Sequence, residues 1–172
     1  NAFEKEMEKS KEVARASWKG SGDKSVEEKW FKAREELSST EFLGYEFDKT
    51  EGIILKISKE NKFIESAKTG DEVEIITNQT PFYGESGGQV GDQGIIYNSN
   101  CKINIQDTQK KMGDLYVHIG KVEKGSIKIG QSVNLEIDIK KRNNSRANHS
   151  ATHLLHESLR RTLGKHVTQK GS

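Results

Sequence analysis

Two histidines four residues apart bound the run His149-Ser150-Ala151-Thr152-His153. On a helix this spacing places them one turn apart on one face, so both imidazoles can reach a single metal ion. The metalloprotease version carries a glutamate directly after the first histidine as general base. Ser150 holds that position here, which argues against a protease. His156 shares the face but lies about 10 Å along the axis from His149, too far to bind the same ion. A closed or catalytic zinc site takes three or four protein ligands. After the pair only His156 and His166 follow, and Cys101 lies far upstream. The pair is therefore half a site, and two polar histidines bonded to backbone or water would share its spacing.

The second constellation runs from Thr80 to Gly94 and reads TPFYGESGGQVGDQG. It holds the chain's single proline and five of its sixteen glycines. Glycines let backbone amides approach a ligand closely, and Gln89 would bring both a donor and an acceptor into that space. The run has neither the spacing nor the lysine of a phosphate loop, and a tight hairpin loop would use the same residues. The third is basic: Lys140, Lys141, Arg142, Arg146, Arg160, Arg161, Lys165 and Lys170 flank the histidines on both sides. Phosphate contact accounts for that placement better than solubility does. Tyr83, Phe82 and Trp30 are possible stacking surfaces, with core packing the plainer use of each. No Ser-His-Asp or paired-carboxylate arrangement follows from the spacing.

These residues need elements to hold them. At 172 residues the chain suits one ordinary domain or two small ones. Apolar residues make up 31%, which is lean, but fifteen Ile and nine Leu can still form a modest core. No stretch approaches the roughly 20 apolar residues of a membrane helix, and no basic-then-apolar leader opens the chain, so a membrane or exported protein is not expected. One cysteine excludes an internal disulfide framework and points to a reducing cytoplasmic setting. The net charge of +2 hides a gradient, because residues 140–172 hold eight basic side chains and one acidic.

Residues 1–40 read as helix, loop, helix. Phe3, Met7, Ala14 and Trp18 recur at helical spacing, Gly20 to Asp23 break the run, and Ser25 with Glu28 has capping-box spacing. Val26, Trp30, Ala33 and Leu37 then form one apolar stripe, as in a connecting arm. From Phe42 the period becomes two. Ile53, Leu55 and Ile57 alternate, as do Val73 and Ile75, Ile103 and Ile105, and Val133 through Ile139, with Tyr116 to Ile119 as a further strand. About seven short strands predict a small antiparallel barrel, with Lys124-Gly125-Ser126 and Ile129-Gly130-Gln131 marking its last hairpins. After Lys140 a helix capped near Asn148 carries Leu154, Leu155, Leu159 and Leu163 and ends at Gly164.

Taken together the segments closely resemble the alanyl-tRNA synthetases. The matching runs are Glu41-Phe42-Leu43-Gly44-Tyr45, the Thr80–Gly94 loop, Asp107 to Lys110, Asn148 to His156, and Leu163 to Ser172. The likeness spans roughly residues 41–172. Freestanding alanyl-tRNA hydrolases share the loop and the histidine pair, but Phe3 to Ser17 looks like the segment leading into the synthetase's editing region.

The resemblance implies a mixed α and β fold: a helical arm over 1–40, a barrel of the translation-factor type over 41–140, and the start of an α+β editing subdomain over 141–172. It implies hydrolysis of the ester that joins Ser or Gly wrongly to the alanine tRNA. A pocket shaped for Ala cannot exclude Gly and rejects an added hydroxyl only weakly, so a second sieve must remove the errors. In the family zinc is held by this His-x-x-x-His and a later Cys-x-x-x-His, so His149 and His153 would supply half the ligands. Gln89, and with it Thr80, are implied contacts to substrate or attacking water. Arg142, Arg146, Arg160, Arg161 and Lys165 are the expected tRNA contacts. ATP and magnesium belong to a ligation domain outside this sequence, no DNA partner is expected, and the chain is expected to fold without editing activity of its own. Three other readings are a non-catalytic tRNA-binding barrel, a freestanding-type aminoacyl-tRNA hydrolase, and a peptidyl-tRNA hydrolase of the release-factor type prompted by Gly87-Gly88-Gln89.

Overall fold

The fold is given by a computed structural model that describes residues 24–86 and 88–168. In chain order the elements are helix α1 (Lys24–Glu36), strands β1 (Glu41–Phe42), β2 (Lys49–Lys59), β3 (Lys62–Ile64), β4 (Ser66–Lys68), β5 (Glu72–Thr77), β6 (Gln79–Thr80), β7 (Gly94–Tyr97), β8 (Cys101–Lys111), β9 (Leu115–Lys128) and β10 (Ser132–Ile137), and helix α2 (Ile139–Leu163). Six strands close on themselves in the order β2-β5-β9-β8-β7-β10 and back to β2, every neighbour antiparallel. Closure leaves these strands no shared open edge. The barrel is filled mainly by branched aliphatic side chains, with Ile54, Ile57, Ile75, Ile96, Ile103 and Leu135 essentially without solvent contact. Each contributes about 1.5–3 kcal/mol of burial.

The alternation in β5, β8 and β10 is as the sequence predicts, but β2 departs from it. Ile54 and Ile57 face the core, whereas Ile53 is 44% exposed and Leu55 only half-buried. A register shift between Ile54 and Lys56 inserts the extra residue, and one extra residue flips the facing of what precedes it. Ten strands form where about seven are expected, six of them closing the barrel, and β2, β8 and β9 are long, at 11, 11 and 14 residues. Lys124-Gly125-Ser126 lies within the fourteen-residue β9 and not in a hairpin. Gly125 takes φ +77 there, and a Cβ on it would collide with the Asn100 carbonyl, so the strand turns from β8 towards β4 without breaking. Gly130, at φ +82, does mark the turn into β10.

The described part of the arm packs on the barrel's outer wall. Trp30 and Ala33 are buried with Ile76, Leu115 and Val117, and Leu37 covers their edge. Lys29, also buried, donates to Ser58 Oγ at 3.0 Å and to Glu74 Oε2 at 2.5 Å. The Arg34 guanidinium grips Asp114 with two bonds of 2.7 Å. The expected first helix, the Gly20–Asp23 break and the Val26 side chain lie outside the described residues, and Ser25 already lies within the first described turn of α1.

Helix α2 starts earlier than the sequence suggests. Asp138 is the cap: its side chain accepts from the Lys141 amide at 3.0 Å, and Ile139 is the first helical residue instead of the last of a strand. Asn148 therefore sits mid-helix. Gly164, at φ +111, ends the helix as predicted. Arg142 is its one buried side chain, and Leu154, Leu155, Leu159 and Leu163 are all exposed. Among the described residues no helix is long and apolar enough to cross a membrane.

Candidate functional site at the junction of loop and helix

The Thr80–Gly94 loop leaves β6 and returns into β7, and a dense set of bonds fixes it. Ser86 and Gln89 exchange backbone bonds of 3.2 and 3.1 Å, closing a tight turn in which Gly88 takes φ +85. Glu85 N donates to Thr108 O at 2.8 Å. Gly91 lies so close to the Thr108 carbonyl that no Cβ would fit. The run thus contains a tight turn at Ser86–Gln89, but β6 and β7 on either side of it pair with other strands and form no hairpin, and Gln89 is half-buried at the turn.

Asp92 and Arg142 hold this loop against α2. The Arg142 guanidinium donates from Nε to Asp92 Oδ2 at 2.9 Å, from Nη1 to Gly44 O at 3.0 Å, and from Nη2 to Pro81 O and again to Asp92 Oδ2. Asp92 Oδ2 also accepts from the Tyr83 amide at 2.7 Å. The two side chains are only 6% and 3% exposed. Arg142, expected on the tRNA-facing surface, is instead turned inward, because three oxygen acceptors from separate segments consume its donors. Arg146, Arg160, Arg161 and Lys165 stand exposed, Arg161 pairing with Glu157 at 2.8 Å.

Between loop and helix lies a cleft of about 340 Å³, walled by Val90, Gly91, Asp92 and Gln93 on one side and by Lys141, Arg142, Asn144, Ser145 and Asn148 on the other. His149 follows the last of these. Its Nε2 faces Nε2 of His153 at 2.9 Å, the rings at 84°. The donor atoms suit zinc and the helix brings them together. Among the described residues, however, no group of three or more metal-binding side chains exists. His156 is engaged with Val167 O at 3.3 Å. Cys101 lies in the barrel core, where burial pushes its thiol pKa up.

Thr80, a predicted substrate contact, is fully buried. Its Oγ1 lies 2.7 Å from His118 Nε2 and accepts from the Phe82 amide at 3.1 Å. His118 had no place among the sequence candidates. Its Nδ1 lies 3.0 Å from Ile75 O, and a carbonyl only accepts, so Nδ1 carries the proton and Nε2 accepts from the Thr80 hydroxyl. Burial pushes the ring's pKa down to about 4, against the opposing effect of the Ile75 bond. Its place on a strand was legible, but nothing local in the sequence pairs it with Thr80, 38 residues away. Phe82 and Trp30 are core residues, at 0% and 2% exposure. Tyr83 is half-buried.

Comparison with known proteins places this geometry in context. Residues 1–141 match the family described as tRNA synthetases class II (A). The chain is 53% identical over 170 residues to the alanine–tRNA ligase of Mesorhizobium japonicum, covering 99% of the chain and 19% of that protein. It is 50% identical over 173 residues to the alanine–tRNA ligase of Bradyrhizobium diazoefficiens, covering the whole chain and again 19% of the relative. The chain thus spans about a fifth of the length of the curated relatives it matches.

Proposed function

The chain belongs to the class II (A) tRNA synthetases and is similar over its whole length to alanine–tRNA ligases, and from that premise we propose that it is the part of such a ligase that begins the proofreading region. In this reading residues 1–40 are a connecting arm, 41–140 a barrel of the translation-factor type, and 141–172 the opening of an α+β editing subdomain. The observation that carries it is the junction itself. The buried Arg142–Asp92 pair joins the glycine-rich loop to the histidine helix across a polar cleft. The substrate is alanine tRNA carrying Ser or Gly, and the setting is the cytoplasm. ATP and magnesium serve the ligation reaction in another part of the protein.

The reaction is ester hydrolysis: a water oxygen bonds to the acyl carbon, the bond from that carbon to the ribose oxygen breaks, and the ribose hydroxyl recovers the proton. Gln89 is the proposed contact to substrate or water, since its carboxamide both donates and accepts. Thr80 acts from behind, its hydroxyl fixing His118 and the Phe82 amide at the base of the loop. His149 and His153 would hold zinc, which supplies a Lewis acid when further ligands complete its shell. Two imidazoles alone hold it weakly.

The test measures deacylation of Ser-tRNA by an intact alanine–tRNA ligase carrying this segment and by the chain alone. Gln89→Ala in the intact enzyme is expected to slow deacylation about 100-fold, with alanine attachment unchanged. The chain alone is expected to be inactive and to bind zinc only weakly in a calorimetric titration. Deacylation by the chain at the intact enzyme's rate, or an unaffected Gln89→Ala enzyme, would overturn this assignment.

A further inference from the structure

Beside the cleft the surface carries an aromatic group that the fold does not need for its core. Tyr45 is 87% exposed and Phe47 50%. Tyr45 sits on a turn tied at several points. Glu46 N and Phe47 N both donate to Leu43 O, at 3.2 and 3.0 Å, Leu43 N donates to Thr80 O at 2.8 Å, and Gly44 O accepts from Arg142 Nη1 at 3.0 Å. A side chain on Gly44 would strike Pro81 O and the Phe42 ring, so the turn is packed against the same Arg142 that walls the cleft.

The ring is also supported. Phe42 meets Tyr45 edge-on, with centroids 5.0 Å apart at 79°, and itself stacks on Tyr116 at 5.3 Å and 3°. Tyr83, from the glycine-rich loop, meets Phe42 at 6.2 Å. An aromatic side chain braced along one edge and otherwise in water presents its open face to a flat partner, and covering that face removes apolar surface from water. Charge narrows the choice of partner. Lys110 is exposed, with its ammonium 5.5 Å from the Tyr116 ring, on one side of the cluster. Glu46 lies on the turn itself and disfavours a phosphate there, while Asp48, just beyond it, is paired with Arg142 at 3.6 Å. The arrangement thus suits a base on Tyr45 and a backbone that runs past Lys110.

Building on the proofreading assignment above, we propose that Tyr45 is the stacking platform for an unpaired base of the RNA strand whose esterified end enters the adjacent cleft. The ligand is a single-stranded nucleotide recognised by its π-face, so the site tolerates any base identity.

The test uses a fluorescently labelled alanine-tRNA hairpin with an unpaired 3′ end and the same hairpin with a blunt end, and measures affinity for the chain by anisotropy. Wild type should prefer the unpaired end. Tyr45→Ala should lose about 5- to 100-fold of affinity for that hairpin and none for the blunt one, and Tyr45→Phe should restore it. An undiminished preference for the unpaired end in Tyr45→Ala, with normal wild-type binding, overturns this proposal alone. Failure of wild type to bind either hairpin overturns the RNA reading and this proposal with it. An equal loss for both hairpins in Tyr45→Ala shows a general disturbance of the surface and likewise overturns it.

Discussion

A histidine enclosed among apolar side chains must stay neutral or draw water in, and His118 shows how the fold settles the matter. Its two ring nitrogens are consumed by Ile75 O and by the Thr80 hydroxyl, and Phe82 packs edge-on at 5.2 Å. This chain of bonds anchors the first residue of the glycine-rich loop. It also makes stability depend on pH with a definite sign. The folded pKa, about 4, lies below the 6.5 of an open histidine, so the unfolded chain takes up the proton first. The stabilisation is complete above pH 6.5 and is lost as pH falls towards 4, amounting to about 3 kcal/mol at the bottom of the window. Urea unfolding between pH 7 and 5, above most carboxylate titration, should show the midpoint falling for wild type. His118→Gln should be less stable at pH 7 and flatter across the window. Parallel curves for the two proteins would sink this account. The Thr80 hydroxyl matters in this picture through what it positions, and a residue that sequence reasoning sets at the substrate is placed by burial beneath the loop.

At the scale of elements, the loop and α2 are joined by one arginine. Breaking a buried ion pair by removing one partner leaves the other charge without solvent or counterion and costs about 3–5 kcal/mol. Arg142→Met should therefore destabilise the chain by about 3 kcal/mol or more in urea unfolding, since Gly44 O and Pro81 O lose this donor and Asp92, left with the Tyr83 amide, loses its counterion. Arg142→Lys should recover little of it, because a single ammonium cannot span three acceptors in a plane. Adding Asp92→Asn to Arg142→Met should cost less than the two separate losses combined, and strict additivity would show that the pair is not coupled. None of this was legible in the sequence, where Arg142 stands in a basic run and looks like its neighbours. Its partner is 50 residues away, and spacing reports only what is close along the chain. What period-two alternation could carry, it did: the inward faces of β5, β8 and β10 and the barrel they build. It failed in β2, where a bulge shifts the phase, and at Ile139, where Asp138 caps a helix just as the alternation reaches an apolar residue. Gly164 and the histidine pair were readable because helix stops and one-turn spacings are local properties.

For the whole molecule the relevant quantity is where charge is presented. Residues 140–172 carry eight basic groups, but the fold withdraws Arg142 from that surface and leaves Arg146, Arg160, Arg161 and Lys165 on it. By helix angle Arg146, His149, His153 and Arg160 fall within about 60° of one another, with the two arginines about 21 Å apart along the axis. The histidine pair is thus bracketed on its own face by cations, an arrangement that would seat a phosphate backbone with its ester end inward. Each phosphate neutralised releases condensed counterions, so affinity falls with salt at a slope set by the number of contacts. The double variant Arg146→Ala/Arg160→Ala should lower the slope of log affinity against log salt by about 1.5 for an alanine-tRNA hairpin. Glu157→Gln should instead strengthen binding slightly, by freeing Arg161 from its 2.8 Å partner. Arg142→Met, measured on its folded fraction, should leave the slope unchanged, because that guanidinium is spent inside the protein. An unchanged slope in the double variant would place the RNA on another face, and a slope reduced by Arg142→Met would mean that the arginine leaves Asp92 when RNA arrives.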